Sequence, residues 1–391
     1  MKTTIRLGDI LEEFTEHRPD GDEPEVLTLT ERNGFVSQAS RFHKRLAIED
    51  TKNYKHIRRG DIAYNPYLLW AGAIAQNKNW DSAIISPLYP TFRVKEGYDS
   101  TFAIHLLSTE QLIKRYDQIS FGSVPRRRRA SVRDFLNLEV PSPPTINKQQ
   151  WIAEVLDRAS ELRVKRRRAI TLLDDLARSI FLDMFGDSGS NPHRWDIGVL
   201  DDVIDRGPQN GLYKPSSKYG SGVPIVRIDA FHGGSIKKLD SLKRLQVSSA
   251  ELKTWGLQEG DVLINRVNSL KHLGKSAYVP KLVEPTVYES NMMRFSVNKS
   301  ILSPQFLVQM LQTADIKNQI LRRAKNAVNQ SSINQGDVRA LRIFIPPLEM
   351  QQEYVRRLKL IGIVKLTSHK QLPTLDELFA SLQGRAFRGE L

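Results

Sequence analysis

The sequence predicts an α+β protein made of two similar halves, each a globular part followed by a long helix. Gln149 and Phe185 recur as Gln351 and Phe387, and both pairs are separated by 202 positions. Short alternating apolar runs follow Gly-Asp turns in both globular parts, which is typical of strands. Apolar residues at spacings of three and four then predict the helix that ends each half.

The central helix is predicted from a heptad pattern with one basic interruption. About 36 residues at a rise of about 1.5 Å each would extend roughly 54 Å. A single helix of that length needs a partner along its side. The predicted seam, spaced alternately by four and three residues, is Val155, Ala159, Leu162, Arg166, Ala169, Leu173, Leu176 and Ile180.

The C-terminal helix has a rougher seam. Pro373 predicts a kink or a restart there, because proline removes a backbone donor. Two arrangements fit the pattern. The matched register and length favour pairing of the two long helices, and the alternative is that each helix packs on its own globular part. The second seam comprises Leu358, Ile361, Leu372, Leu375, Leu378 and Leu382.

Composition points to an acidic partner. The 391 residues carry a net charge of +14, which favours nucleic acid. The chain has no cysteine, which excludes a disulfide framework and a thiolate zinc site. The first residues contain no apolar signal core, and no apolar run reaches membrane-spanning length. We therefore expect a cytoplasmic protein with no membrane partner.

The first globular part contains a basic loop after its predicted elements. Strands are expected at Ile62–Tyr64 and Thr91–Val94, and one helix from Phe102 to about Tyr116. Guanidinium groups fork onto phosphate oxygens, so the loop is a candidate DNA contact, and a solvated charge run fits equally well. The loop residues are Arg126, Arg127, Arg128 and Arg129.

The second globular part repeats the pattern of the first. Gly260-Asp261 follows Gly60-Asp61 by 200 positions, and Ser303 is the expected N-cap of a helix to about Ala324. Arginine reads guanine, and asparagine or glutamine reads adenine, through paired hydrogen bonds. A structural role stays open for each candidate. The candidate DNA contacts here are Arg266, Asn268 and Lys271, with Asn329, Gln330 and Ser331 in the loop that matches the arginine run.

Signals of catalysis are weak. The histidines lack metal-ligand spacing, and neither a phosphate-binding loop nor a G-x-S-x-G elbow occurs. Asn65-Pro66-Tyr67 is similar to the motif with which amino-methyltransferases hold a target base, but its second proline is missing and no glycine-rich cofactor loop accompanies it. We predict no catalytic residue and no metal site.

Taken together, the motifs resemble those of the specificity subunits of type I restriction-modification systems. The resemblance rests on the tandem halves and on segments Leu173–Asp187, Asn265–Ser269, Ile345–Gln351 and Arg385–Leu391. It implies two target recognition domains, each reading one half of a split double-stranded DNA sequence. It also implies that the two helices pair as an antiparallel coiled coil that fixes the spacing. The corresponding boundaries are 1–145 and 188–347 for the domains, and 146–187 and 348–391 for the helices.

The same resemblance implies partners that carry the chemistry. Two methyltransferase subunits would use S-adenosylmethionine to methylate adenine, and restriction subunits would use ATP and magnesium to cut unmethylated DNA. This chain would bind no cofactor and would not be an enzyme. Two alternatives stay open: a DNA adenine methyltransferase that reads DNA itself, and a coiled-coil scaffold that binds DNA without sequence preference.

Overall fold

The computed structural model describes residues 4–17, 24–31, 33–41, 51, 53–122, 128–187, 189–236, 239–327 and 330–391. Three predicted DNA contacts, Arg126, Arg127 and Asn329, lie outside these residues. Internal contacts divide the chain into two units. Unit 1 comprises Met1–Ala169 with Ser368–Leu391, and unit 2 comprises Ile170–Thr367. These limits fall inside the long helices, so the boundaries expected from the sequence stay a prediction.

Unit 1 contains twelve described strands and five described short α-helices before the first long helix. The strands are β1 (Thr4–Arg6), β2 (Leu11–Phe14), β3 (Glu25–Thr30), β4 (Gly34–Ser37), β5 (Lys55–Arg58), β6 (Ile62–Tyr64), β7 (Ile74–Gln76), β8 (Ser82–Ile85), β9 (Thr91–Val94), β10 (Ser120–Phe121), β11 (Arg129–Ala130) and β12 (Glu139–Pro141). The helices are α1 (Leu7–Ile10), α2 (Gln38–Arg41), α3 (Ser100–Leu107), α4 (Glu110–Gln118) and α5 (Val132–Leu136).

Two four-stranded sheets form the body of unit 1. One has the order β2–β9–β6–β7 and is antiparallel throughout, and the other has the order β4–β3–β8–β5 with β3 parallel to β8. β6 and β9 coincide with the two strands predicted from the sequence, which confirms them. Phe92 of β9 and Ile62 of β6 are fully buried and pack with α3 and α5 in one core. β1 pairs with β12, and β10 pairs with β11 as a hairpin.

Unit 2 contains fourteen described strands and four described short α-helices, followed by the second long helix. The strands are β13 (Asp196–Val199), β14 (Ile204–Asn210), β15 (Tyr219–Val226), β16 (Phe231–His232), β17 (Gly234–Ile236), β18 (Arg244–Leu245), β19 (Val262–Asn265), β20 (Val267–Asn268), β21 (Ser276–Tyr278), β22 (Val287–Tyr288), β23 (Met292–Val297), β24 (Lys325–Ala327), β25 (Gln330–Ser332) and β26 (Arg342–Ile345). The short helices are α7 (Ser249–Trp255), α8 (Pro304–Met310), α9 (Ala314–Arg323) and α10 (Gln335–Arg339).

The strand order of unit 2 repeats that of unit 1. Its largest sheet has the order β14–β23–β19–β21–β17–β16, and the first four strands correspond in position and direction to β2–β9–β6–β7. β15 runs parallel to β22 as β3 runs parallel to β8, and β13 pairs with β26 as β1 pairs with β12. The hairpin β24–β25 matches β10–β11, and β20 joins it as a third strand. The repeat seen in the sequence is therefore also a repeat of topology.

Two long helices, α6 (Ile146–Phe185) and α11 (Leu348–Arg388), have 40 and 41 residues. α11 continues through Pro373, so the predicted restart is wrong. Pro373 is exposed, so water can donate a hydrogen bond to the helix carbonyl that the missing proline N–H leaves without a partner. Among the described residues, no helix combines the length and apolar composition that crossing a membrane requires.

Each globular part contains two helices where one was predicted. The helix expected from Phe102 to about Tyr116 is α3 and α4, and Thr109 begins the second by accepting a hydrogen bond from Leu112 N at 3.4 Å. The helix expected after Ser303 is likewise α8 and α9, with Ser303 as the N-cap that the sequence predicts. Periodicity continues across the break because both helices bury the same face.

A buried glutamine fastens the start of each long helix to its globular part. In unit 1, the Gln149 carboxamide accepts a hydrogen bond from Asp99 N at 2.9 Å and donates to the carbonyls of Gly97 at 3.4 Å and Pro144 at 2.8 Å. Gln149 and Gln351 are 1% and 0% exposed, so these bonds are made out of water. In unit 2, Gln351 makes the same three bonds with Ser303 N, Ile301 O and Pro346 O.

Candidate nucleic-acid interface

A buried aspartate fixes the strand that leads to the predicted contacts of unit 2. The Asp261 carboxylate accepts a hydrogen bond from Gln258 N at 2.8 Å and pairs with Arg206 at 2.6 Å. Asp261 is 1% exposed, so this pairing compensates for the cost of burying a charge. The turn starts β19, whose last residue, Asn265, directly precedes Arg266. Asp61 forms the equivalent turn before β6 in unit 1.

A small sheet in unit 2 brings the two groups of predicted contacts together. Asn268 of β20 lies opposite Ser331 of β25, although the two are far apart in the sequence. Ile333 N donates a hydrogen bond to Arg266 O at 2.9 Å and extends this pairing. Gln330, at the start of β25, is exposed. Four of the candidates named from the sequence therefore lie together in this small sheet, but Ser331 is only 5% exposed and is a poor candidate for a DNA contact.

Arg266 is held by the backbone of the neighbouring loop. Its Nη1 donates to Ser290 O at 3.1 Å, and its backbone N donates to Asn291 O at 2.9 Å. Its Nε is buried and has no hydrogen-bond partner among the described residues. Asn268 Oδ1 accepts a hydrogen bond from Ser269 N at 2.8 Å. Both side chains thus have set orientations before any ligand arrives.

The turn after β20 is pinned by a lysine from α9. Lys317 Nζ donates to the carbonyls of Leu270 at 2.9 Å, Lys271 at 3.3 Å and Leu273 at 2.5 Å. Burial lowers the pKa of Lys317, and the three carbonyls satisfy its ammonium donors. The Lys271 side chain itself is exposed. The turn therefore presents one cation to solvent next to the small sheet.

Unit 1 has the same arrangement around the arginine loop. Phe121 of β10 pairs with Arg129 of β11, and both side chains are exposed, Phe121 by 69%. Ala130 N donates to Pro66 O at 3.3 Å, as Ile333 N donates to Arg266 O in unit 2. The hairpin of each unit is thus tied to a residue just after the equivalent strand, Pro66 after β6 and Arg266 after β19.

The Arg128 guanidinium makes hydrogen bonds and an ion pair within unit 1. Its Nε donates to Ser120 O at 3.1 Å, its Nη2 donates to Asp117 O at 2.6 Å, and its Nη1 pairs with the Asp117 carboxylate at 2.7 Å. The guanidinium also lies 5.9 Å from the centre of the Trp70 ring. All three nitrogens are occupied, so Arg128 anchors the hairpin and is a poor candidate for a DNA contact. Arg129 stays a candidate.

Asn65, in the motif similar to that of methyltransferases, closes its own turn. Its Oδ1 accepts a hydrogen bond from Tyr67 N at 3.0 Å, and Trp70 Nε1 donates to Tyr67 O at 2.9 Å. Asn65 N also donates to Ala73 O at 2.9 Å. This arrangement gives Asn65 a structural role that its residue type and position explain completely.

In unit 1, α6 and α11 contact each other through an arginine. Arg163 Nε pairs with Asp376 at 2.6 Å, and its guanidinium lies 4.5 Å from the centre of the Phe379 ring. These interactions lower the pKa of Asp376, first through the hydrogen bond from Arg163. Leu162, which the sequence places in the seam, is 53% exposed. The neighbouring arginine takes the inward position because its stem packs while its charge is paired.

In unit 2, the same two helices contact each other through aromatic and charged side chains. Tyr354 OH donates to Ala177 O at 3.3 Å, and its ring lies edge-on to Phe185 at 5.5 Å. Lys365 forms an ion pair with Asp174 further along. As the residue number rises from 174 to 185 in α6, the partner number falls from 365 to 354 in α11. The contacts within this unit therefore run antiparallel.

The predicted seam positions differ in burial within the two units. Ala159 is buried, and the half-buried positions are Val155, Arg166, Ala169, Leu173, Ile180, Leu358, Ile361, Leu372, Leu375 and Leu382. Leu162, Leu176 and Leu378 are 53%, 45% and 47% exposed. In α6, the residues one position after Val155, Leu162, Ala169 and Leu176 are also buried or half-buried. These residues are Leu156, Arg163, Ile170 and Ala177.

Sequence reasoning missed an apolar surface on α11. Leu360, Ile363, Val364 and Leu366 are exposed by 55%, 62%, 52% and 55%. They lie away from the half-buried seam residue Ile361 and form a second apolar stripe. The adjacent apolar pairs in the sequence were the available signal, since one seam accounts for only one residue of each pair.

Comparisons with known proteins show what this chain is similar to. Residues 192–375 match the type I restriction modification DNA specificity domain. The chain is 30% identical over 201 residues to the proposed type I restriction enzyme MjaX specificity subunit of Methanocaldococcus jannaschii, covering 51% of this chain and 47% of that protein. It is also 30% identical to the type I restriction enzyme EcoKI specificity subunit of Escherichia coli K12, over 47% of this chain and 40% of that subunit. These alignments span less than half the length of either relative.

A solved structure matches the fold over nearly the whole chain. The crystal structure of the type I restriction-modification S subunit from M. genitalium superposes with a TM-score of 0.60 at 13% identity, covering 98% of this chain and 96% of that one. At this identity the superposition shows a shared mixed α/β fold. The domain match and the curated relatives make this chain similar to the specificity subunits of type I restriction-modification systems.

Proposed function

We propose that this chain is the DNA sequence-specificity subunit of a type I restriction-modification complex, and that each unit reads one half of a split target. The observation that carries the proposal is the repeated element at the predicted contacts. In both units a polar or basic hairpin is hydrogen-bonded to a residue just after the equivalent strand, at Pro66 and at Arg266. Two similar readers with different side chains suit a target of two different half-sites.

The long helices would act as the spacer between the half-sites. Helices of 40 and 41 residues, at about 1.5 Å per residue, extend roughly 60 Å. The antiparallel contacts inside unit 2 and the Arg163–Asp376 pair inside unit 1 support pairing of α6 and α11 as an antiparallel coiled coil. In this proposal the globular parts set which bases are read, and the helix pair sets the distance.

The partners follow from the family and from the exposed apolar stripe on α11. We propose that two methyltransferase subunits dock on the long helices, and that restriction subunits join them. S-adenosylmethionine would serve methylation of adenine in the former, and ATP with magnesium would serve DNA cleavage in the latter. This chain would then position the DNA and would contribute no catalytic group.

Methylation mapping tests the recognition role. The chain is expressed together with the methyltransferase whose gene lies next to its own, and modified adenines are mapped on genomic DNA. A single split motif, with modified adenine in both halves, is the expected result. A continuous motif would contradict separate reading by the two units. Methylation by the chain without its partner would instead support the DNA adenine methyltransferase, and equal affinity for all duplexes would support the non-specific scaffold.

Charge placed on the α11 stripe tests the docking role. Ile363→Glu should abolish co-purification with the methyltransferase subunit, because a buried unpaired carboxylate is costly at an interface. Gln352→Glu, on the same helix and also exposed, provides a matched control, because it adds the same single negative charge. Both variants should melt at the temperature of the wild-type chain. Retained association of Ile363→Glu would place the partner elsewhere.

A further inference from the structure

A cleft in unit 2 adjoins Arg266 and was not singled out from the sequence. Its volume is about 540 Å³, within the range of small-molecule and cofactor sites. Ser290 and Asn291, whose carbonyls hold Arg266, form part of one wall. The segment between β14 and β15, with Tyr213 and Lys214, forms another. The cleft is therefore continuous with the surface that carries the predicted DNA contacts.

The floor of the cleft is rigid and charged. Glu289 is 7% exposed, accepts a hydrogen bond from Ile228 N at 2.6 Å and pairs with Arg227 Nε at 3.2 Å. The Arg227 guanidinium lies 5.8 Å from the centre of the Tyr219 ring. Burial raises the pKa of the Tyr219 phenol, so the ring stays neutral at physiological pH. The floor thus offers a planar aromatic and a planar cation whose positions are set before binding.

The rim offers a second aromatic ring in open solvent. Tyr213 is 78% exposed, which is unusual for so large an apolar side chain. No described residue covers its ring or bonds its hydroxyl. Exposed aromatic rings are stacking platforms for nucleobases, because every base has a π-face of similar size. With Tyr219 on the floor, the cleft has one ring at its entrance and another inside.

The charges of the cleft leave one cation unpaired. Glu251 pairs with Lys214 at 2.6 Å, and Glu289 pairs with Arg227. Lys243 is exposed and lines the cleft, and its ammonium pairs with no described carboxylate. A ligand that places one anionic group at Lys243 and one planar ring between the tyrosines would satisfy this arrangement. A nucleotide with a single phosphate has both features.

We propose that this cleft binds one unstacked nucleotide of the DNA target, with the base against Tyr213 and Tyr219 and its phosphate at Lys243. The inference rests on the proposed function, and it adds that unit 2 reads one base outside the helical stack. The Asn291 carboxamide, on the wall of the cleft, would contact the edge of that base, since an amide offers both donor and acceptor. The base would therefore be selected by shape and hydrogen bonding together.

Mismatched duplexes test the proposal on the complex with the methyltransferase partner. Competition binding compares the mapped target with duplexes that carry one mismatch at successive positions of the half-site. A mismatch at the bound base should strengthen wild-type binding several-fold, because no base pair has to be broken. Tyr213→Ala should remove this gain and weaken binding of the paired target about tenfold. Tyr213→Phe should retain both.

The salt dependence gives an independent readout. Lys243→Gln should reduce the slope of log affinity against log salt by about one, because one phosphate contact is lost. Lys253→Gln, at an exposed position of α7 in the same unit, should leave the slope unchanged. Val283→Ala, at a side chain that is 88% exposed, controls for any surface truncation.

Three results would overturn the inference. Tyr213→Ala could weaken all duplexes equally, could have no effect, or could weaken assembly with the protein partner while sparing DNA binding. The last result would mean that a protein segment occupies the cleft. A wild-type complex that binds its mapped target no better than a scrambled duplex would refute the proposed function itself, which separates the two failures.

Discussion

The buried glutamine at the start of each long helix leads to the sharpest prediction about stability. Gln351→Ala removes three hydrogen bonds, to Ser303 N, Ile301 O and Pro346 O. Each bond contributes about 1 kcal/mol net, and the buried partners left behind stay unpaired. We therefore expect the free energy of unfolding to fall by about 3 kcal/mol. Gln352→Ala provides the matched control, because the neighbouring side chain is exposed.

Chemical denaturation of the full chain measures this difference. The repeat allows the same comparison in unit 1, where Gln149→Ala should destabilise and Gln150→Ala should not. Gln351→Glu refines the argument, because a carboxylate keeps the acceptor for Ser303 N and loses both donated bonds. Its cost should match or exceed that of alanine, since the charge would face two carbonyls. If Gln351→Ala and Gln352→Ala lowered stability equally, the reasoning from burial would be refuted.

Three further predictions address separate features. Gly362→Ala should raise the free energy of unfolding by about 1 kcal/mol, because Gly362 is exposed inside α11 and an added Cβ meets nothing within 4 Å; an unchanged thermal melt would contradict this. Burial opposes the charge of Asp157, but hydrogen bonds from His105 and Lys78 outweigh it and lower its pKa to about 2. The stability from this carboxylate is then present above its unfolded pKa of about 3.9 and is lost as the pH falls toward 2. The gap in stability between wild type and Asp157→Asn should therefore close over that interval, and a gap that persists at pH 2 would show another origin. Arg129→Ala should weaken DNA binding and lower the salt slope by about one without changing the melting temperature, whereas Arg128→Ala should lower the melting temperature; the reverse assignment would mean that Arg128 contacts DNA.

Much of the architecture could be predicted because the two halves repeat. The constant offset of 202 positions located both long helices, and the paired Gly-Asp turns located β6 and β19. Turn-forming residues and hydrophobic periodicity are local properties of a chain, so they can be recognised from the sequence without knowledge of the fold. The same locality explains the misjudged helices, since the break at Thr109 interrupts the chain without interrupting the apolar face.

The candidate contacts show where sequence reasoning ends. Residue type suggested four equivalent arginines, yet Arg128 is taken by Asp117 and Ser120, and its neighbour Arg129 is exposed. The pairing of Asn268 with Ser331 joins two segments that the sequence could only name separately. The cleft beside Arg266 is lined by residues from loops that contain no recognisable sequence motif. Such contacts depend on which strands become neighbours, and a single sequence does not contain that information.

By itself, the sequence determined the repeat, the strand-forming turns and the existence of two long amphipathic helices, because these follow from local spacing and residue type. Only the tertiary structure decided which side of each helix is buried. Arg163 turns inward while Leu162 faces solvent, because Asp376 and Phe379 offer the arginine a paired charge and an aromatic face. Which of the two side chains is buried depends on the residues that folding brings into contact with them, and the hydrophobicity of the sequence alone does not predict it.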